Sequence, residues 1–458
     1  MYYKLPKIMN VIFTKSIFSA VLTLILFFTV DSSIAQPVIL SQREQARVVD
    51  ELLEDRLRNV LPALMRREGI DMWLIISREY NEDPVIRTLL PATWFAARRT
   101  TMLMAFDRGP EKGMEYLAVA RYDVGKVFKR AWDPDANPDQ WAQLGKLIAE
   151  RNPKKIGVNK AFGYGHADGL TSNDYDRLLE ALPKKLHANV VSAEKLAVSW
   201  LETRTEREMA IYTNICRIAH DIIAEGFSEK VIQPGVTTTD DVVWWYRERI
   251  KELKLDTWFQ PSVSIQRNEE EALMAKRPQP LVILPGDFLH VDFGITYLRL
   301  NTDTQQHAYV LKQGEQEIPS YLQEAFKKGN RLQDILTGNY KTGSTGNEIL
   351  KESRRQAIEE GLKPSIYTHP IGFHGHAAGT TIGMWDMQEG VPYTGEYPLH
   401  PNTAYSIELN TTVYIPEWKK EIRIQLEEDG YFDGAGFRYI DGRQKEIWPI
   451  PRPSANKQ

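Results

Sequence analysis

Apolar positions Val49, Leu53, Val60, Leu61, Leu64 and Met65 recur at helical spacing behind Ser41-Gln42-Arg43-Glu44, where serine and glutamate stand at capping-box spacing. With Gly69 as the stop, this pattern predicts one helix. A continuous apolar run from Met72 to Ile76 reads as a buried strand. Thr101 to Phe106, Tyr116 to Ala120 and Ile156 to Val158 are further strand candidates, and helical patterns near Asp139 to Arg151 and Ser172 to Leu182 alternate with them. Alternation of this kind predicts an α/β domain.

The pattern changes around Trp200 to Glu208, where the chain becomes charged and loses any strand periodicity. A domain boundary is expected there, followed by a long helix to about Phe227. Gln233-Pro234-Gly235-Val236-Thr237 supplies a turn, and Thr239 opens another helix that threonine and Asp240 side chains can cap. From Leu281 onward strands dominate, interrupted by helices near Ile318 to Leu336 and Asn347 to Gly361. The expected organisation is a leader over residues 1–35, an α/β domain over 36–200 and a second domain, α+β, over 201–458.

The leader follows from a second pattern. Lys4, Lys7 and Lys15 precede the apolar stretch Ile17 to Val30, and Ser33-Ile34-Ala35 has the small-x-small form of a cleavage site. A membrane anchor is the alternative, but a bilayer span needs about 20 apolar residues. Cleavage after Ala35 predicts a periplasmic or secreted protein, with no membrane association after processing. Met9 offers an alternative start with a more compact signal. The 458 residues, 42% hydrophobic and 26% charged, are ordinary for a globular protein, and a net charge of −4 gives no reason to expect nucleic acid as a partner. Cys216 is the single cysteine, so no internal disulfide can form; it reads as a small buried hydrophobe rather than a nucleophile.

The chemistry concentrates after residue 285. Leu289 to Thr296 alternates like a strand and places His290, Asp292 and Gly294 on one face; Gln305, His307 and Tyr309 share a face of the next run. The eleven-residue step from Asp292 to Asp303 fits an antiparallel pair that sets the two carboxylates side by side. Carboxylates that close repel, so one is protonated or a cation lies between them. Thr368-His369-Pro370-Ile371-Gly372-Phe373-His374-Gly375-His376 carries three histidines in a glycine-rich segment, where the backbone can approach an ion or substrate. Glu408 and Glu427 occupy strand-like runs, where glutamate is disfavoured unless paired or bound to metal. Four carboxylates and an imidazole suit a pair of hard-to-borderline divalent cations.

The ordered set HVDFG, NTDT, HAAG, SIEL and LEED resembles the pita-bread metallopeptidases: creatinase, aminopeptidase P, prolidase and methionine aminopeptidase. Residues 203–242 resemble the entry helix, turn and next helix of that family, and the first half resembles a creatinase-type leading domain. The resemblance implies an α/β N-terminal domain followed by an α+β pita-bread catalytic domain. It also implies an exported dinuclear peptidase acting on short peptides, Xaa-Pro aminopeptidase-like, through a hydroxide shared by two cations. Asp292, Asp303, His376, Glu408 and Glu427 are the implied metal ligands. Glu408 shuttles the proton, and His369 and His374 are candidate catalytic residues. Manganese is the first-choice metal, with zinc or cobalt as alternatives, and a homo-oligomer is implied. Alternatives are a creatinase-like hydrolase of a non-peptide C–N bond and a metal-free binding protein of the same fold. His376 fits the H-x-x-G spacing better than His374, and alternation favours Glu427 over Glu428.

Three departures stand out. No histidine precedes Asp292 by 15–20 residues, none follows His376 by about seven, and Gln305-Gln306 replaces the usual threonine-arginine. His290, His307, His369 and His374 are candidates to substitute for the missing histidines.

Overall fold

The computed structural model describes residues 39–452. The expected leader and its cleavage site lie outside the described residues.

The first half is built on one six-stranded sheet. Its strands are β1 (Met72–Arg78), β2 (Thr100–Asp107), β3 (Met114–Val119), β4 (Lys129–Arg130), β5 (Ile156–Val158) and β6 (Val190–Ser192), in the order β4-β3-β2-β1-β5-β6. The β1–β2 and β2–β3 pairs are antiparallel, whereas β5 and β6 run parallel to β1. Met72 to Ile76 is buried throughout, as an apolar run flanked by helices on both sheet faces requires.

The predicted first helix is two: α1 (Gln42–Asn59) and α2 (Leu61–Glu68). Pro62 sits in the first turn of α2, where its missing N–H costs nothing but cannot continue the ladder from α1. Ser41 and Glu44 form the expected capping box, and Gly69 closes α2 at φ 64°.

The second half begins with α3 (Glu206–Gly226) and α4 (Thr239–Glu252), each opened by a capping box, Thr205/Glu208 and Thr238/Asp241. One sheet contains β7 (Ser262–Gln266), β8 (Phe288–Phe293) and β11 (Thr304–Val310), with the short hairpin β9 (Thr296–Tyr297) and β10 (Leu300–Asn301) between β8 and β11. A three-stranded sheet holds β12 (Pro364–Ile366), β15 (Leu409–Ile415) and β16 (Lys420–Leu426). A four-stranded one holds β13 (His369–Pro370), β14 (Thr403–Ser406), β17 (Asp429–Phe432) and β18 (Phe437–Tyr439). The strand β19 (Trp448–Ile450) closes the edge of β11.

The halves share a core. Ala378, Phe373 and Tyr397 pack into the cluster formed by Trp73, Leu103, Trp200 and their neighbours. Arg56 of α1 crosses the boundary to Glu208 of α3 at 2.8 Å, and Arg204 meets the same carboxylate at 3.4 Å; all three side chains are buried. Tyr164 donates to the Gly379 carbonyl at 2.8 Å. These contacts fix the first half over the glycine-rich histidine segment. Among the described residues, no helix is long and apolar enough to cross a membrane.

Candidate metal centre

The antiparallel pair β8–β11 forms in a register that sets Asp292 opposite Gln305 and His290 opposite His307. Asp303 immediately precedes β11, two residues from Gln305 and therefore on its face. The expected adjacency of Asp292 and Asp303 follows from this register.

Glu408 and Glu427 arrive differently from the expectation. Neither lies in a regular strand: Glu408 falls between β14 and β15, and Glu427 between β16 and β17. Leu409 pairs with Leu426 and Ser406 with Asp429, so the two glutamates meet where one long hairpin passes from one sheet to the other. Interrupting the ladder frees the backbone to turn these side chains inward. Glu427 also bridges back to Gln305 of β11 through paired backbone bonds. Glu428 faces away and is saturated by His220 Nε2 at 2.7 Å, Gln306 Nε2 at 3.0 Å and the Gln444 N–H at 2.9 Å.

Ligating atoms of Asp292, Asp303 and Glu427 lie within 4.8 Å of one another, and so do those of His369, Glu408 and Glu427. A third group within that reach joins Asp303, His369 and His376. His369 therefore takes part in two groups. Its Nε2 approaches Glu427 Oε1 at 3.4 Å and Asp303 Oδ2 at 3.7 Å. Its Nδ1 lies 2.9 Å from the Pro370 carbonyl, which accepts its proton and leaves the Nε2 lone pair aimed at the carboxylates.

His376, expected as the histidine ligand, takes part in one of the three groups, whereas His369, expected as a catalytic candidate, takes part in two. His376 is exposed and reaches the cage only at its margin, and His374 belongs to none of the three groups. The reason is that the segment contains two H-x-x-G patterns, His369 to Gly372 and His376 to Gly379. Pairing of His369 with Ser406, two residues before Glu408, brings the first into the cage. In that register the histidine expected seven residues downstream is present, as His376 itself.

His290 and His307 do not replace the other missing histidine. His307 is buried, stacked on Phe288 with ring centroids 4.5 Å apart, and both its nitrogens are occupied by the Leu289 carbonyl and the Gln425 N–H. His290 donates from Nε2 to Gln305 Oε1 at 2.8 Å. The Gln305 amide in turn donates to Glu408 Oε1 at 2.6 Å and to Glu427 Oε2 at 2.7 Å. Ser406 Oγ donates to Glu427 Oε1 at 2.7 Å. Gln305, noticed in the sequence only as a departure, is thus the hinge pin of the carboxylate pair.

Electrostatics and unpaired atoms fit a cation. Burial, and then the charge of Glu427, pushes the Asp292 carboxyl up to about 8. The same two causes hold Asp303 and Glu408 well above the ordinary carboxylate range. Asp292 Oδ1, Asp303 Oδ1 and His369 Nε2 are buried without a hydrogen-bond partner. Buried polar atoms are rarely left so, and three of them converging on acidic groups is what a metal site requires. Cys216 is buried with its thiol against Asp429, and burial raises its pKa well above the ordinary range, so it is no nucleophile.

The rim contains residues that the sequence did not signal. Trp258 stands edge-on to His376, centroids 5.0 Å apart, and donates its indole N–H to the Thr302 carbonyl at 3.0 Å. His166, from the first half, lies 4.7 Å from the ring of His374. A recess of about 920 Å³ beside His220, Gln306 and Gln444 lies away from this rim and contains none of the five predicted ligands.

Comparison with known proteins matches the fold and the residues that carry this site. Residues 210–432 fit the family model described as metallopeptidase family M24. X-Pro aminopeptidase from Thermotoga maritima MSB8 superposes with a TM-score of 0.60 at 17% identity, covering 85% of this chain and 100% of that one. The Xaa-Pro dipeptidase from Bacillus anthracis gives 0.54 at 18% identity, over 89% and 100%. Dipeptidase PepE from Mycobacterium ulcerans gives 0.54 at 16%, over 90% and 100%. The fold is therefore the α/β leading domain with an α+β pita-bread domain. No curated protein matches at the sequence level.

Proposed function

Residues 210–432 make the chain a member of metallopeptidase family M24, a peptidase-class hydrolase, and from that premise we propose that it cleaves short peptides, with Xaa-Pro aminopeptidase-like specificity, using two divalent cations. The observation that carries the reading is the convergence of Asp292, Asp303, His369, Glu408 and Glu427 with three unpartnered ligand atoms pointing inward. Asp292, Asp303 and Glu427 would hold one ion, and His369, Glu408 and Glu427 the other. Manganese is the proposed metal, with zinc and cobalt as alternatives of the same ligand preference.

When bound, such a pair lowers the pKa of a shared water and polarises the scissile carbonyl. The chain's own contribution is positional. Pro370 fixes the His369 tautomer, while Gln305 and Ser406 lock the Glu427 rotamer. Glu408 spends Oε1 on Gln305, which leaves Oε2 to take a proton from the attacking water and return it to the leaving amine. Its raised pKa favours acceptance of that proton.

Export to the periplasm or medium, and self-association, belong to the same proposal. The test is metal analysis of the purified protein coupled to a panel of short peptides with and without proline second. Bound manganese, zinc or cobalt near two per chain, with metal-dependent cleavage of Xaa-Pro peptides, is expected. Bound metal with cleavage of a non-peptide C–N bond only would favour the creatinase-like alternative. A protein that binds no divalent metal would sink both.

A further inference from the structure

The two aspartates of the cage are joined by a hairpin with a strained tip. Leu300 pairs with Tyr297 and Asn301 with Thr296, so Leu298 and Arg299 alone make the turn. Their φ angles are 53° and 65°, and among the described residues no other two consecutive positions share a positive φ. A two-residue turn with both central residues left-handed is the type I′ form, which asparagine and glycine favour. Bulky side chains meet a steric penalty there. Such a backbone persists only where its surroundings over-determine it.

Those surroundings belong to the first half. Arg299 donates from Nη1 to the Leu90 carbonyl at 2.8 Å and from Nη2 to the Pro91 carbonyl at 3.2 Å, just past the helical turn Ile86–Leu89. The Leu40 N–H donates to the Tyr297 hydroxyl at 2.9 Å. Leu298 and Leu300 are buried, and with Phe373 they line one side of a cavity of only about 20 Å³ that Leu52, Leu53 and Thr88 line on the other. The tip is held from outside its own domain.

The strained turn stands close to the cage. Leu298 follows Asp292 by six positions, and Asp303 follows Arg299 by four. The arms leave no slack between them: a Cβ on Gly294 would stand 2.3 Å from the Thr302 carbonyl, and Phe293, Ile295 and Thr302 are buried. Interiors packed this closely transmit a displacement rather than absorb it. Glu427 has Gln305 and Ser406 to hold its carboxylate, whereas Asp292 and Asp303 each leave Oδ1 without a partner. The separation of those two oxygens is therefore set by the backbone of this hairpin.

We propose that Arg299 is a positioning residue for the Asp292–Asp303 pair: anchored on the first half, it holds a turn that its own backbone disfavours, and the cation bound by Asp292, Asp303 and Glu427 depends on that anchor. The role rests on the metal-dependent reading above and extends it, because it ties one of the two ions to the docking of the halves. The other ion keeps His369 and Glu408, which lie outside the hairpin.

Arg299→Ala and Arg299→Gly both remove the two carbonyl bonds, but only glycine relieves the turn. Arg299 is half-buried, and circular dichroism of each variant checks the fold. Manganese titration of the full-length protein against a chelator measures each ion. Wild type is expected to bind two. Arg299→Ala should bind one of them about tenfold more weakly, the scale for losing an outer support, with the other unchanged. Arg299→Gly should recover most of that loss, and Arg299→Lys, which keeps a donor, part of it. Added to Asp292→Asn, which removes the same ion, Arg299→Ala should have no further effect. Equal weakening in the alanine and glycine variants, no weakening in either, or a further loss in the Asp292→Asn background overturns the proposal and leaves the metallopeptidase reading standing. Should wild type bind no divalent metal, that reading fails, and hydrogen exchange of the metal-free proteins decides the role of Arg299. Faster exchange over residues 293–302 in Arg299→Ala, slowed again in Arg299→Gly, upholds it; equal rates in all three proteins overturn it.

Discussion

His290 donates to the side-chain oxygen of Gln305 at 2.8 Å, and so determines which end of that amide faces the two glutamates. With its oxygen engaged, the amide nitrogen must point at Glu408 and Glu427. Burial lowers the His290 pKa to about 4, so the ring stays neutral and keeps this donor role across the physiological range. An outer partner of this kind orients ligands it never touches.

His290→Ala should therefore leave the fold intact yet loosen the cage. Removing an outer partner typically weakens metal affinity about 10–100-fold, and competition with a chelator would measure it. His290→Asn, which restores a donor, should recover part of the loss. Equal metal affinity in all three proteins would show that Gln305 needs no such support.

His369 and His376 make a sharper pair. His369→Ala should release one of two ions, because it removes the imidazole from the His369, Glu408, Glu427 group. His376→Ala should retain both ions and lose turnover instead, since the exposed ring stands at the rim beside Trp258. Metal counts by mass spectrometry distinguish these; loss of metal from the His376 variant alone would reverse the assignment.

The two substitutions also mark where the sequence stops being sufficient. Strand alternation placed Asp292 and Asp303 together, because a period of two fixes the face once the register is known. It could not choose between two H-x-x-G patterns seven residues apart, since that choice depends on which one pairs with β14. Glu408 and Glu427 looked like strand residues because apolar residues flank them; the sheet-to-sheet crossing that turns them inward is a long-range event. His166 carried no local signal, as it reaches the rim only when the two halves dock. The split of the first helix at Pro62 was missed, because the apolar spacing runs on across the proline that interrupts the helix.

The cage also predicts a pH dependence. An unfolded aspartate titrates near 4, about four units below the folded Asp292 value of about 8. The folded protein thus binds this proton more tightly. The associated stability is fully present below about pH 4 and is lost as pH rises through 8. Comparing metal-free wild type with Asp292→Asn isolates this group. The variant should gain in Tm relative to wild type by several degrees between pH 4 and pH 8, and saturating manganese should reverse the order at pH 8 by stabilising only the wild type. A Tm difference independent of pH would show that Asp292 is already paired in the metal-free state.

The buried triad at the seam sets the last expectation. Glu208 accepts from Arg56 at 2.8 Å and faces Arg204 at 3.4 Å, with all three side chains nearly inaccessible to water. Its carboxyl is held below the ordinary range: burial opposes that shift, but the two guanidinium charges outweigh it. Glu208 also caps α3 by accepting from the Thr205 N–H at 2.8 Å. Glu208→Gln keeps the shape but leaves two buried cations without a counter-charge, which costs about 3–5 kcal/mol. Denaturant titration should register that loss. Because Arg56 belongs to the first half, limited proteolysis of the variant should release an N-terminal fragment sooner than wild type. Replacing Arg56, Arg204 and Glu208 together by apolar residues of similar volume should recover much of the stability, since apolar packing substitutes well for a buried ion triad. A triple variant no more stable than Glu208→Gln would mean that the Trp200, Leu201 and Thr203 carbonyls, which the two guanidinium groups satisfy, carry the penalty.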